Sequence, residues 1–123
     1  MRYVVSGLAA VLFCVLISNA ASVPTVQEKK PKYTVKQVMK AHKGRKNSLL
    51  AKVALGKADE KEVKMLVEYY TALAANPCPS DEKDDWKKRT GKLLKLAKKA
   101  KAGEKMVALF KAANCKGCHS IHK

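Results

Sequence analysis

This sequence predicts an all-α fold, an antiparallel four-helix bundle. Three observations carry that prediction. Apolar residues recur at three- and four-residue steps along four segments, the period of an amphipathic helix. No segment alternates apolar and polar residues as a half-buried strand does. Most breaks between segments are short and carry glycine or proline, and short connections favour antiparallel neighbours.

The chain opens with "MRYVVSGLAAVLFCVLISNA", a basic start, an apolar run and small residues at Ser18 and Ala20. Residues 1–20 are therefore expected to be a signal peptide cleaved after Ala20. A membrane anchor is the competing reading, but the run is short for a span and no basic flank follows directly. Lipoprotein processing at Cys14 is disfavoured by Phe13, too large for that cleavage pattern. The mature chain is thus expected outside the cytoplasm, in the periplasm. Residues 21–32 are polar, contain Pro24 and Pro31, show no periodicity, and read as a flexible leader.

The helical domain is expected over residues 33–123. Its first helix runs from about Thr34 to Leu55, with Val35, Val38, Met39, His42, Leu49, Leu50 and Val53 on one stripe. Gly44 weakens it locally. The second opens on a capping box, Asp59 with Glu62 three residues on. It buries Val63, Leu66, Val67, Tyr70, Leu73 and Ala74, and the prolines of "NPCPS" end it. Ser80 is expected to cap the third, whose acids Asp81, Glu82, Asp84 and Asp85 sit at the positive end of its dipole. Trp86, Thr90, Leu93, Ala97 and Ala100 form its apolar line. Gly103 separates the fourth helix, where Met106, Phe110 and Ala113 lead into "NCKGCHSIHK".

The formal charge of +16 is mostly lysine, spread through every segment. Solvated helix faces are the plainest account. The secretory start and the lack of a helix-turn-helix or RNA-binding signature argue against nucleic-acid binding, which, with the cysteine cluster as a redox or metal site, is the third reading. An electropositive surface also steers acidic protein partners into brief encounters. Once Cys14 is removed and Cys115 and Cys118 are used, only Cys78 remains, so there is no disulfide framework. Cys78, between two prolines, reads as an inert loop thiol.

The chemistry is concentrated in Cys115, Cys118 and His119. A CxxC pair can hold half a zinc site, cycle as a disulfide or, with histidine next, attach haem c. Zinc wants four N/S ligands, and no second pair exists. A redox pair is expected at the start of a helix, whereas this one falls at the end of a helical pattern. Haem c suits the spacing. Residues i and i+3 share a helical face, so two sulfurs can reach two vinyl groups while His119 becomes the proximal iron ligand.

A secreted chain of four helices with CxxCH on the last one resembles the class II cytochromes c, the cytochrome c prime family. The resemblance spans about Tyr33 to Lys123, and "VMKAHKG" on the first helix is its best secondary match. It implies a monohaem one-electron carrier, not an enzyme, in which Met39 binds the iron opposite His119. In an antiparallel bundle those two residues would lie at matching depths. The family often has an arginine one turn before this methionine; here Val35 stands there, leaving Lys32 or Lys36 to anchor the propionates. The implied partners are acidic redox proteins, met transiently, and a homodimer is compatible with it. Without Met39 ligation the alternative is a five-coordinate, gas-binding protein. His42 is a second candidate for the iron, more readily a partly exposed polar residue. Trp86 packs the core or edges the haem, Tyr70 is core, Tyr69 a boundary residue, and His122 part of a mobile tail.

Overall fold

The computed structural model describes residues 30–122. The expected signal peptide, its cleavage site, Cys14, Lys123 and the leader up to residue 29 lie outside the described residues. Within them the chain is mostly helical and contains no strand, so the all-α class holds.

The organising unit is a pair of long helices, α3 (Glu60–Ala75) and α4 (Lys83–Lys99). The predicted capping box opens α3: Glu62 N–H donates to Asp59 Oδ1 at 2.7 Å and Asp59 N–H donates to Glu62 Oε2 at 3.2 Å. The connection through Pro77 and Pro79 turns the chain back, and Trp86 Nε1–H donates to the Asn76 carbonyl at 3.2 Å across it. Leu66 and Tyr70 are fully buried against Trp86, Thr90, Leu93 and Ala97 of the returning helix. Lysines fill the rest of α4 and face water. Ser80 does not cap α4; Glu82 stands at that position without a side-chain bond, and the Ser80 hydroxyl is directed elsewhere.

The other two predicted helices are interrupted. The first is divided into α1 (Val35–Met39), two 3-10 turns (Lys40–His42 and Arg45–Asn47) and α2 (Leu49–Ala54). The break falls at Gly44, whose φ of +99° is left-handed and cannot continue a helix. Thr34 and Gln37 form a capping box that starts α1, and Ser48 restarts the chain as the cap of α2. The fourth is divided into α5 (Ala108–Ala112) and α6 (Cys115–His119), separated at Ala113 and Asn114. Of the predicted stripe Met106, Phe110 and Ala113, Ala113 is buried and Met106 packs against the core, but Phe110 is 40% exposed and Leu109 takes its place. α1 and α2 pack on α3, and α5 packs on α4 and α2. Met106 N–H donates to the Ala54 carbonyl at 2.9 Å, tying the approach to α5 onto the end of α2.

Candidate haem-binding cleft

α6 forms because Asn114 caps it, its Oδ1 accepting from Gly117 N–H at 2.9 Å. The cap depends on Gly117: a Cβ there would lie 2.5 Å from the Asn114 amide nitrogen. Cys115 is therefore the first residue of a new helical turn, not the end of a long helix as the periodicity suggested. No residue of α6 is buried. Cys115 and His119 are exposed and Cys118 is half-buried.

The structure brings these residues to two hollows that share four lining residues. Met39, Trp86, Cys118 and His119 line both. The inner crevice, about 40 Å³, is completed by His42, Leu73, Leu93 and Ala113 among others. That is room for little more than one water. The outer hollow, about 430 Å³, adds Val35, Lys36, the Asn76–Pro79 turn and His122. The stripe Val35–Met39–His42 thus faces the cleft, while Val38 and Ala41 carry the buried contacts of that region.

Three polar side chains at or behind the cleft have an electrostatic setting shaped by burial. His42 Nε2 is 2.8 Å from the Tyr70 hydroxyl. Burial, with a smaller contribution from nearby His119, pushes the His42 pKa below its ordinary value. Burial likewise drives the Tyr70 hydroxyl far up, so it stays protonated and can donate to His42. Burial raises the Cys118 thiol; Arg89 opposes this, and Asp85, Cys115 and Cys78 add to it. The raised pKa keeps Cys118 as the thiol, and Cys115 stands at the start of α6, so a helix-end position does not count against a redox pair in the structure. Among the described residues no group of three or more His, Cys, Asp or Glu is arranged to hold a bare metal ion.

Two residues matter more than the sequence indicated. Arg89 lines the inner crevice and gives its Nε–H to Asp85 Oδ2 at 2.6 Å. A signal for it existed, since it is one of three arginines in an otherwise lysine-rich chain, four residues after an aspartate. His122 is no mobile tail: it is 5% exposed and held by Ser80, Asp85 and Trp86. Lys32 is turned away to Glu68 at 2.8 Å, whereas Lys36 lines the outer hollow. Tyr69 sits at the boundary, edge-on to Tyr33 with ring centroids 4.7 Å apart.

The residues present fit a covalently held haem in chemical type. Two thiols and an imidazole on one turn face a thioether and a second imidazole across a wall of Leu73, Leu93 and Trp86. The inner crevice alone is too small for a tetrapyrrole; the outer hollow, about 430 Å³, shares Met39, Trp86, Cys118 and His119 with it. No family model, curated protein or solved structure matches the chain. Among the described residues no helix is long and apolar enough to cross a membrane.

Proposed function

We propose that this protein is an exported monohaem c-type cytochrome, a one-electron carrier whose helices form a loosely segmented four-helix bundle around the cofactor. The observation that carries the reading is the convergence of Cys115, Cys118, His119 and Met39 on the inner crevice. Cys115 and Cys118 would hold the haem through thioethers, and His119 and Met39 would ligate its iron. When bound, the haem supplies a ferric/ferrous couple, with methionine sulfur favouring the reduced state.

The chain's own residues have defined tasks. Leu73, Leu93 and Trp86 exclude water from the ligand side. Lys36, at the outer hollow, and Arg89, at the inner crevice, would be the cations available to propionate carboxylates. His42 is committed to Tyr70, which favours Met39 over it as the distal ligand. The lysine excess would steer acidic redox partners into short-lived encounters. Ser80, His122 and Asp85 are connected like a nucleophile, base and acid. Asp85 is already paired with Arg89, however, and Ser80 Oγ accepts from Glu82 N–H at 3.3 Å, so the trio reads as a clasp.

The alternative, a five-coordinate gas-binding protein, uses the same attachment with Met39 off the iron, and half-buried Met39 on a short helix is the feature that keeps it in view. A pyridine haemochrome assay and intact mass on exported protein test attachment; one haem per chain is expected, and an unmodified mass from a competent expression host refutes it. The ferric visible spectrum then separates the two readings. A weak band at the red end indicates methionine ligation, and high-spin features indicate an open site.

A further inference from the structure

We propose that His122 is a positioning residue for the CxxCH turn, a peg that fixes where α6 presents Cys118 and His119 to the opposite wall of the cleft. The proposal deepens the cytochrome reading and rests on it only for its spectroscopic readout.

α6 has five residues, too few to hold a helical conformation or an orientation by itself. None of them is buried, so the turn is not secured by packing of its own. Its neighbours on either side secure it instead. Upstream, Leu109 and Ala113 are buried in the core; downstream, the His122 side chain is 1% exposed. The backbone transmits this anchorage directly, because Ile121 N–H and His122 N–H both donate to the Cys118 carbonyl, at 3.1 and 2.8 Å. A displaced His122 would therefore move Cys118.

The peg's socket belongs to the opposite wall. His122 Nε2–H donates to Asp85 Oδ2 at 3.0 Å, and Nδ1 is 2.7 Å from Ser80 Oγ. A serine hydroxyl can donate or accept, so that second bond is available in either charge state of the ring. Trp86 lies edge-on to the imidazole at 5.1 Å between centroids, and Cys78 Sγ is 3.6 Å from Nδ1. Asp85 is itself held by Arg89. Trp86 and Arg89 line the inner crevice with Met39 and His119. The imidazole thus joins the attachment turn to the first turns of α4, which form the facing wall. A buried side chain with both ring nitrogens engaged is more than filler; losing a hydrogen bond to a charged partner exposes the whole linkage to local opening.

Thiol labelling of the full chain, purified without haem, tests this under native conditions. In His122→Ala, iodoacetamide should reach Cys118 roughly tenfold faster, the opening expected when a buried, charge-assisted hydrogen bond is lost. Exposed Cys115 should change by less than about twofold, since the turn never shielded it. His122→Gln, whose amide can still donate to Asp85, should recover part of the protection. If His122→Ala does not fold, as judged by circular dichroism, Ser80→Ala leaves the ring in place, removes one partner and should speed Cys118 labelling in the same direction. Cys118 labelling within twofold of the parent in a folded variant overturns the proposal. In haem-loaded protein, His122→Ala should keep the covalent mass but perturb the ferric spin state. A parent chain without haem would sink the cytochrome reading, yet the labelling experiment would still decide on the peg.

Discussion

The α3–α4 pair and the cleft end of the molecule are built on different principles. The pair has helices of 16 and 17 residues, a reciprocal capping box and the fully buried side chains Leu66 and Tyr70. At the cleft end, α1 and α6 have five residues each, and every ligand candidate is exposed or half-buried. Short segments with few buried contacts open locally at small cost, whereas the core of a helix pair opens only with the whole domain. The hairpin contributes Leu66 and Tyr70 to the core along two long helices, whereas the short segments at the cleft end are each fixed at a point, by Val38 on α1, Leu109 on α5 and His122 beyond α6.

The largest test of this division is all-or-none. Replacing both Cys115 and Cys118 by serine should abolish covalent haem in intact mass spectra, while the helical circular dichroism of the haem-free chain stays at the parent level. Loss of that helicity would mean the site also holds the hairpin together. On the other side, Leu66→Ala empties a fully buried position of the pair and should cost about 3 kcal/mol in denaturant unfolding, within the usual range for buried leucines. The same cost without any loss in cooperativity would show that the pair unfolds as one unit with the domain.

Met39→Ala should cost less, about 1 kcal/mol, because the side chain is only half-buried. Its proposed consequence is chemical: haem remains attached, the iron becomes high-spin, the potential falls and carbon monoxide binds. His42→Ala should leave the spin state unchanged; a low-spin spectrum lost in His42→Ala and retained in Met39→Ala would reverse the ligand assignment.

Smaller still is a pH effect in the haem-free chain. Burial lowers the His42 pKa from its ordinary 6.5, so the unfolded state takes up a proton before the folded state does. Stability from neutral His42 is complete above about pH 6.5, declines as pH falls below it, and levels off beneath the folded pKa. His42→Gln should flatten that part of the profile. Asp85 is also depressed, by Arg89 first and then by His122, but its share is lost only as pH falls through the carboxylate range. The mildest perturbation is salt. Electron exchange with an acidic partner should slow as ionic strength rises, because exposed charges are screened within about 10 Å at 0.1 M. A flat response would assign the lysines to solubility alone.

Much of this architecture is written in local patterns. The Asp59/Glu62 box, the proline stop at 77 and 79, and the apolar line Trp86–Thr90–Leu93–Ala97 involve neighbours along one helix or turn, and the 3.6-residue period exposes them directly. The spacing of Cys115, Cys118 and His119 is local in the same way. Helix interruptions were less visible. Gly44 announced one, but the break at Ala113–Asn114 depends on an asparagine that serves as a cap only with Gly117 beneath it.

What the linear pattern could not contain is the meeting of distant segments. His122 looked like a tail because nothing beside it in sequence is its partner; its partners are 42 and 37 residues away, at Ser80 and Asp85. Arg89 at the crevice, Lys36 rather than Lys32 at the outer hollow, and the His42–Tyr70 bond are of the same kind. Sequence determined the two long helices and the spacing of Cys115, Cys118 and His119, since both follow from local geometry. Only the tertiary structure decided what faces them, because a side chain's partner across a cleft depends on how the hairpin packs and turns, and no period along the chain records that.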